Sequence, residues 1–470
     1  MDLFDASREL ADVDLGDARL NRRAVQVVRA LQQRPSVGFP VAFNGDAELE
    51  GFYRLVNNKA VEPDTLLAPH AAESWRRAQS SSDATLVLHD TTEFTFQGEA
   101  PRVGLAQKQT SQGFHGHFAL AVAEGEAPVV HGVVGHRSYV VEDGTWLQAV
   151  EGQQLEELLV GSERWSDLVR DVASTVPDGV EVVHVMDREA DDYAVWTRIL
   201  EQGDDFVIRA RHDRRLANGA EKLFNTLANE PFVVSREVVL SRRGHRRLPG
   251  TKRTHPARDR RSARLSIRAG VIEIQRPVGV APVGEATMKL SFVEVVEIDP
   301  PDDTTPIHWL LLSTLPVDTP SSICRIVDIY RKRWLIEEFF KSLKTGCAAE
   351  KRQGRSLWSL LNTIALLVPV AWRLLLIRAT ARQEPAAPAS RIIDAIELQA
   401  LRHLAPKAKL GSEPTCRQIL LAVAKVGGHL ISNGEPGWLV LGRGLERLLE
   451  FSAGWRAALE GMSARGDLEM

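Results

Sequence analysis

The sequence is poor in the residues that staple small or metal-bound folds. Its 470 residues include 3 cysteines, Cys324, Cys347 and Cys416, with no CxxC spacing and no paired histidines beside them. A structural zinc site or a disulfide framework is therefore not expected, and a reducing compartment is the expected setting.

Signals for export or membrane insertion are equally scarce. The first residues, MDLFDASREL, lack the basic start and apolar core of a signal peptide. The most apolar run, Ile364 to Ile377, is interrupted by Pro369 and Arg373 and is too short for a clean bilayer span. We therefore expect a cytoplasmic protein.

A strong charge imbalance and a nucleotide-binding loop are also missing. The formal net charge is −4, which gives no global hint of nucleic acid, although global charge is a poor guide when basic residues cluster. No glycine-rich phosphate loop is present, so ATP dependence is not expected. The hydrophobic fraction of 44% and the charged fraction of 26% are those of a soluble globular protein. The length predicts about two to four structural units.

What is present begins with helices. Residues 8 to 79 carry apolar side chains at three- and four-residue spacing, which predicts short helices. The same segment carries a set of basic side chains that suit a DNA-binding head: Arg19, Arg22, Arg23, Arg54, Arg76 and Arg77. A plain helical domain fits the pattern equally well, and both interpretations stay open.

The hydrophobic period changes at Ala84. The segments ATLVLHD and VEVVHVMD are typical of buried strands that end in an acid, Asp90 in the first and Asp187 in the second. HFALAVA, PVVHGVVGH and DFVIRARH predict further strands, and helices are expected near residues 162–174 and 191–202. Strands that alternate with helices indicate an α/β layered domain. Each acid alone is more often a turn or helix cap than a metal ligand.

Residues 214–300 break this pattern with short predicted strands in FVVSREVVL, ARLSIRAG, VIEIQRPV and KLSFVEVVEI. Within them, Arg242 to Arg264 hold ten Lys or Arg residues against one acid, Asp259. This density favours a phosphate-facing arm over a solvated charged hairpin. The strand HWLLLSTL follows. Beyond Arg382 the linker EPAAPAS precedes helices expected near 391–403, near 416–428 and in GLERLLEFSAGWRAALEGM.

A long helix, predicted to start near Ser321, carries the most informative pattern. At about 100° per residue, one arc of roughly 80° collects five polar side chains: Tyr330, Arg333, Glu337, Lys341 and Lys344. A hydroxyl, a guanidinium, a carboxylate and two ammonium groups in a row suit the binding of a phosphate beside a metal-bound carboxylate. The alternative is a salt-bridged surface helix, because Arg333 and Glu337 form an i,i+4 pair.

The spacing Tyr-x2-Arg-x3-Glu-x6-Lys, formed by Tyr330, Arg333, Glu337 and Lys344, resembles the YREK signature of the insertion-sequence-four family of cut-and-paste transposases, to which the transposon-five transposase belongs. Two further segments are similar in the right order: LHDTTEF, which contains Asp90, and HVMDREADDY, which contains Asp187. WLLLSTLPV, LGDARLNRR and the predicted C-terminal helices also resemble the family, so the similarity covers nearly the whole chain.

The resemblance implies an α/β fold with a ribonuclease-H-like catalytic core. We expect a helical end-recognition domain at 1–80, a catalytic domain at 81–382 with a β-rich insertion at about 214–300, and a helical dimerisation domain at 383–470. It also implies that Asp90, Asp187 and Glu337 are the catalytic acids. They would hold two Mg²⁺ ions, with Mn²⁺ as the expected substitute.

By the same resemblance, the enzyme hydrolyses DNA at the transposon end. The freed 3′ hydroxyl forms a hairpin that water reopens, and the 3′ ends then attack target DNA. Tyr330, Arg333 and Lys344 would hold backbone phosphates near the hairpin. The indoles of Trp309 and Trp334 would stack on a flipped base, with core packing as the alternative for both. The predicted DNA contacts also include a further set of basic side chains: Arg188, Arg209, Arg211 and Lys341.

The implied partners are double-stranded DNA and a second copy of the chain in a paired-end complex, in the nucleoid of a bacterium. One departure from this expectation is the acidic set Asp46, Glu48 and Glu50, which weakens phosphate contact in the helix expected near DNA. Two alternatives stay open: a non-catalytic DNA-binding relative, such as a transposition inhibitor, and a metal-dependent nuclease of the same fold that does not join DNA.

Overall fold

The structure is a computed structural model. It describes residues 5–98, 101–107, 111–125, 129–158, 161–217, 219, 222–240, 246–247, 254–255, 260–278, 284–302, 304–352, 354–430, 432 and 434–466. The chain forms two compact units, Met1–Glu181 with Trp334–Met470 and Val182–Arg333. Most of the predicted basic arm at 242–264 lies outside the described residues.

The helices are α1 (Ala18–Gln33), α2 (Phe39–Ala42), α3 (Asp46–Val56), α4 (Pro63–Gln79), α5 (Glu163–Ala173), α6 (Tyr193–Glu201), α7 (Leu223–Asn229), α8 (Pro320–Lys332), α9 (Trp334–Lys341), α10 (Leu357–Gln383), α11 (Ala395–Leu404), α12 (Cys416–Val426) and α13 (Trp438–Gly466). The strands are β1 (Thr85–Gln97), β2 (Ala106–Gln107), β3 (Ser111–Ala123), β4 (Val130–Glu142), β5 (Thr145–Val150), β6 (Gln154–Glu157), β7 (Val182–Met186), β8 (Asp205–Arg209), β9 (Val234–Leu240), β10 (Arg246–Arg247), β11 (Thr254–His255), β12 (Arg261–Gln275), β13 (Thr287–Ile298) and β14 (His308–Ser313).

The first unit opens with the predicted helical segment. Helix α1 begins where the Asp17 side chain accepts from the backbone N–H of Arg19, a standard N-cap. Helix α4 begins at Pro63, which has no N–H to leave unsatisfied at a first helical position. The prediction of short helices over residues 8–79 is confirmed by α1 to α4.

The sheet of the first unit is antiparallel, in the order β6-β5-β4-β3-β1, with β2 also paired to β3. Strand β1 stays paired with β3 from Thr85 to Gln97, so the prediction that it ends at Asp90 is wrong. The segment after Asp90, TTEFTFQ, is rich in Thr and Phe, which favour a pleated strand and extend it.

A single long helix fills the core of the first unit. Helix α10 starts with a capping box between Ser356 and Ser359. Its buried Asn362 donates to the carbonyls of Val56 and Val61, which joins it to the N-terminal helices. By length and composition alone α10 could cross a membrane, but its whole apolar window is buried inside the protein. We therefore assign it as a core helix.

The C-terminal helices belong to the same unit. The predictions near 391–403 and 416–428 are confirmed by α11 and α12, and the last predicted stretch is part of the longer α13. Helix α13 reaches the segment after α1, where Arg34 Nε lies 2.5 Å from Glu450 Oε1 and Ser36 Oγ donates to Glu446 at 2.5 Å.

The second unit contains a mixed sheet in the order β7-β8-β14-β13-β12-β9, in which only the β7–β8 pair is parallel. The predicted β-rich character of 214–300 is confirmed, but two details are wrong. The strands expected in ARLSIRAG and VIEIQRPV are one continuous strand, β12, and helix α7 precedes β9. Gly270 does not break β12, because the Phe292 ring opposite covers the position where a Cβ would stand.

The prediction of a single long helix from Ser321 is also wrong. Helix α8 ends at Lys332, and the N–H of Arg333 bonds back only three residues, to Tyr330. Helix α9 follows from Trp334 to Lys341, and Ser342–Gly346 forms a π-helical turn. The structure is thus a mixed α/β fold, whereas the ribonuclease-H-like core and the three-domain division stay predictions.

Candidate metal and nucleic-acid site

Asp90 lies within β1, half-buried, and its Oδ1 accepts from the backbone N–H of Thr91 at 2.9 Å. Its partner in register on β3 is Phe118, and directly opposite residues of an antiparallel pair share a face. The Phe118 ring packs against Phe339 and Phe340 of α9, with centroids 5.8 and 5.7 Å apart. The face of β1 that carries Asp90 is therefore the face that α9 covers.

Glu337 lies on α9, two residues before Phe339. It is half-buried, whereas Ile336, Glu338 and Phe339 are buried. Two of the three predicted acids, Asp90 and Glu337, thus stand on elements of the first unit that pack against each other.

Lys344 lies in the π-helical turn and turns back onto β1. Its ammonium donates to the carbonyl of Glu93, lies 3.5 Å from Glu350 Oε1 and sits 5.1 Å from the centre of the Phe94 ring. Burial lowers the pKa of Lys344, and Glu350 opposes this effect. The predicted phosphate ligand is engaged within the protein here, and Glu350 is a partner that sequence reasoning missed.

Trp334 and Lys341 lie together on α9. The indole of Trp334 is 55% exposed, and the ammonium of Lys341 lies 4.8 Å from the centre of one of its rings. Lys341 also donates to Glu338 at 2.7 Å. An exposed tryptophan beside an ammonium group suits contact with a nucleobase and its phosphate.

In the second unit, Asp187 directly follows β7. It caps a short 3₁₀ turn, Arg188–Ala190, by accepting from the N–H of Glu189 at 2.8 Å. Asp187 can cap this turn and also bind a metal ion, because a carboxylate has two oxygens. Arg188 is exposed beside it.

Tyr330 of this unit lies near three charged side chains, those of Arg209, Arg333 and Asp187. Tyr330 is 6% exposed, and burial raises the pKa of its hydroxyl, against the effect of the nearby guanidinium groups of Arg333 and Arg209. Burial also lowers the pKa of Arg209, which is hydrogen-bonded to Tyr330 and near the cations Arg188 and Arg333. A neutral phenol among several arginines beside a carboxylate is an arrangement that attracts a phosphate.

Trp309 belongs to the same group. It lies on β14, half-buried, with its ring centre 5.4 Å from that of Tyr330 in an edge-on arrangement. Arg209 Nη2 donates to the backbone carbonyl of the preceding residue, His308, at 2.8 Å. Trp309 therefore supports Tyr330 directly, a packing role that does not exclude base stacking.

Asp191 organises the loop that carries the predicted contact Arg211. Its buried carboxylate accepts from the backbone N–H groups of Arg211 and His212, at 2.5 and 2.8 Å, and from the guanidinium of Arg214. Arg214 also stacks over Trp196 at 4.3 Å. Arg214 was missed by sequence reasoning, since nothing local distinguishes it from neighbouring arginines.

The three predicted acids offer only carboxylate oxygens, the hard ligands that Mg²⁺ prefers. Asp90 and Glu337 belong to the first unit and Asp187 to the second, so neither unit alone contains all three. Across the part of the chain that the structure describes, no three or more His, Cys, Asp or Glu side chains gather in a geometry that could hold a metal ion. The predicted ligand and DNA-contact assignments stay predictions.

Two segments of the chain match models of known protein families. Residues 6–61 match the family model described as transposase DNA-binding, so the N-terminal helices are those of a DNA-binding protein. Residues 161–371 match a second model, the transposase DDE domain. Together the two matches show a DDE-type transposase.

The matched ranges contain two of the three predicted acids. The DDE range contains Asp187 and Glu337, together with Arg209, Trp309 and Tyr330. Asp90 lies outside both ranges. The assignment of Asp90 therefore depends on its sequence context and on its place on the face that α9 covers.

Proposed function

We propose that the protein is a cut-and-paste transposase of the insertion-sequence-four type, similar to the transposon-five enzyme. It binds the terminal inverted repeats of a transposon, cleaves the DNA, forms and reopens hairpin ends, and joins the 3′ ends to target DNA. The observation that carries the proposal is the DDE match that contains both Asp187 and the neighbouring group of Tyr330, Arg209 and Arg333.

Asp90, Asp187 and Glu337 are the proposed ligands of two Mg²⁺ ions, and Mn²⁺ is the proposed substitute. DDE domains in general use divalent metal ions, and carboxylates hold such ions without help from sulfur or imidazole. Bound at these acids, the ions would activate the attacking oxygen and stabilise the leaving oxygen of the phosphodiester. The proposed core around these ligands is ribonuclease-H-like.

The side chains around Asp187 take the phosphate. The guanidinium groups of Arg209 and Arg333 neutralise its charge, and the protonated Tyr330 hydroxyl donates to a phosphate oxygen. Arg188 and Arg211, both exposed, extend the contact along the DNA backbone.

The first unit supplies the base-binding side of the reaction. Trp334, exposed on α9, is the proposed stacking surface for a base flipped out of the hairpin, and Lys341 stands over the same indole. Lys344 joins the phosphate contacts once it leaves Glu350. Trp309 keeps Tyr330 in place.

The proposed partners are the two transposon ends and target DNA, bound by a homodimer in a paired-end complex. Residues 391–470 are proposed to supply the partner surface, within the proposed dimerisation domain at 383–470. The end-recognition domain at 1–80 includes the matched range 6–61. A DNA-binding transposase works where DNA is, in the cytoplasm or nucleoid, and we propose the nucleoid of a bacterium.

Two alternatives differ in what they do to DNA. A non-catalytic relative binds ends without cutting, and a nuclease of the same fold cuts without joining. The test is incubation of end-labelled linear DNA, carrying the inverted repeats that flank the gene, with the intact chain and Mg²⁺, followed by denaturing electrophoresis. Hairpin-ended products and joining to added plasmid DNA support transposition. Cutting without hairpins or joining supports the nuclease, and binding without cutting supports the non-catalytic relative.

A further inference from the structure

Helix α9 is short for a helix that carries a candidate metal ligand. It has 8 residues, from Trp334 to Lys341. On one side the helical hydrogen bonding is interrupted at Arg333, and on the other a π-helical turn begins at Ser342. Two turns of helix with irregular backbone at both ends do not fix their own rotation, so tertiary contacts must set the direction of Glu337.

One side of α9 is fixed by apolar contact with the sheet. Phe339 and Phe340 pack against Phe118 of β3, as described above. Apolar contact is non-directional and tolerates small rotations and slides. A second, directional contact is needed to define the angle.

Glu338 supplies that contact. It is 8% exposed, and its carboxylate lies 2.7 Å from Lys341 Nζ and 3.2 Å from Arg378 Nη1. The indole N–H of Trp438 donates to the same carboxylate at 3.2 Å. Arg382 is at 4.0 Å. A buried carboxylate among three cations and an N–H donor has a narrow range of allowed positions.

These partners come from different elements of the first unit. Arg378 and Arg382 lie on α10, the buried core helix, and Trp438 is the first residue of α13. Arg378 also stacks over the Trp438 ring at 4.4 Å. Glu338 therefore fastens α9 to the core helix and to the start of the C-terminal helix at one point.

We propose that Glu338 is a positioning residue, whose carboxylate, held by Arg378 and Trp438, sets the rotation of α9 and thereby the place of the Glu337 carboxylate. The inference rests on the proposed function, since it takes Glu337 to be a metal ligand. Lys341, bound to Glu338 and lying over Trp334, is placed by the same contact.

The variants that isolate this role are conservative. Glu338→Gln keeps the shape of the side chain and removes its charge. Trp438→Phe keeps the ring and removes only the N–H donor. The matched control is Glu397→Gln, because Glu397 forms a pair with Arg373 at 2.7 Å, between α10 and α11, that is even more deeply buried than the Glu338–Arg378 pair. It reports what the loss of a buried ion pair does by itself.

The measurement is an electron paramagnetic resonance titration of Mn²⁺ into the full chain bound to pre-cleaved transposon-end DNA, without target DNA, so that no reaction starts during the titration; DNA affinity in EDTA and thermal melting are measured beside it. Glu338→Gln is expected to raise the half-saturating Mn²⁺ concentration about tenfold, the low end of the effect of removing a residue that supports a metal ligand. Trp438→Phe is expected to raise it by a smaller factor, and Glu397→Gln to leave it unchanged. DNA affinity should change less than about twofold.

Three outcomes decide the matter. If Mn²⁺ binding depends on Glu337 but is unchanged in both Glu338→Gln and Trp438→Phe, the positioning role is wrong while the proposed function stands. If Glu338→Gln does not fold, an unchanged titration for Trp438→Phe alone overturns the role. If Glu337→Ala binds Mn²⁺ as the unmodified chain does, the metal site of the proposed function fails, and the positioning role fails with it.

Discussion

Trp334 and Trp309 differ in what surrounds them. Trp334 is 55% exposed on α9, whereas Trp309 is half-buried edge-on to Tyr330. An indole that already packs on a tyrosine has less surface to offer a base than one that faces solvent. Trp334 is therefore the stronger candidate for stacking.

Replacement of Trp334 tests that assignment. Trp334→Ala is expected to lower hairpin yield by about fivefold or more, because base–aromatic stacking contributes about 1–3 kcal/mol. Trp334→Phe, which keeps an aromatic face, is expected to retain most of the yield. The first nick at the transposon end, scored on the same gel, should be unaffected. Equal hairpin yields for Trp334→Ala and the unmodified chain would rule out the stacking role.

Asp46 lies exposed at the first position of α3, in the matched DNA-binding range. Asp46→Lys is expected to tighten transposon-end binding by several-fold at low salt, because it replaces a charge that repels phosphate with one that attracts it. A lysine at a helix N-terminus costs about 0.3–1 kcal/mol of helix stability. The dissociation constant at fixed salt is the measurement, with Asp83→Lys, outside the matched range, as control. An unchanged constant contradicts the prediction.

Hydrophobic periodicity in the local sequence predicted helices and strands well where tertiary packing and intrinsic propensity agree. Helices α5 and α6 and strands β7 and β8 lie close to where periodicity placed them. The errors have physical causes. Strand β1 runs past Asp90 because β3 pairs with it as far as Gln97, and β12 runs through Gly270 because Phe292 covers that residue. Both contacts come from a neighbouring strand, β3 in the first case and β13 in the second.

For the candidate site, too, the local sequence predicted some features and missed others. Acids at strand ends and the Tyr330–Lys344 spacing are local signals, and they predicted side chains that the DDE match largely contains. The partners of these side chains come from distant segments, as in the contacts of Glu350 with Lys344 and of Arg378 with Glu338. Such contacts depend on tertiary packing, so one sequence without structure gave no means to predict them.

A buried ion network joins the segment before α1 to the core of the first unit. Glu9 accepts from Arg77 at 2.8 Å and lies 2.7 Å from His70 Nδ1. Arg77 stacks over Trp372 of α10 at 4.2 Å. Gly132 of β4 completes the contact, since a Cβ there would collide with Ser74 Oγ. The DNA-binding helices are thereby fixed to the strand and helix that support them.

This network predicts an acid-dependent stability. Burial raises the pKa of Glu9, but bonds and charges of His70 and Arg77 outweigh it, and the pKa falls from 4.5 to about 2. A lowered carboxyl pKa stabilises the fold above pH 4.5, and the effect is lost as pH falls from 4.5 towards 2. Glu9→Gln is expected to lower the unfolding free energy by roughly 3 kcal/mol at pH 7, at about 1.4 kcal/mol per pKa unit.

The check is urea unfolding, followed by tryptophan fluorescence, of Glu9→Gln and the unmodified chain at pH 7 and pH 3. The difference between the two proteins should be largest at pH 7 and smaller at pH 3. A difference that is the same at both pH values would mean that the charge of Glu9 does not contribute.

At the scale of the whole molecule, the proposed paired-end complex requires a surface that a second copy can bind. A chain that ends near Ala389 tests this poorly, because it would lack Leu445, Leu448 and Leu449, buried residues of α13, and would expose the core of the first unit that α13 covers. Leu459 of α13 is 45% exposed and makes a gentler test.

Leu459→Glu is expected to weaken the paired-end complex at least several-fold in a gel-shift assay, because it places a charge in a surface that association would bury. Binding of a single end and the melting temperature should be unchanged. The control Val103→Glu alters an apolar residue that is 72% exposed and lies outside residues 391–470 and outside both matched ranges. If Leu459→Glu assembles the paired-end complex as the unmodified chain does, the partner surface does not include Leu459.

We propose that Asp90, Asp187 and Glu337 together perform metal-dependent DNA cleavage. The most direct test of this proposal compares Mg²⁺-dependent cleavage of transposon-end DNA by the unmodified chain with Asp90→Asn, Asp187→Asn and Glu337→Gln, each checked for DNA binding. Every variant is expected to bind DNA and to lose cleavage by at least about a thousandfold, because bound metal ions stabilise the transition state by several kcal/mol. Cleavage that survives in any one of the three variants would contradict the triad.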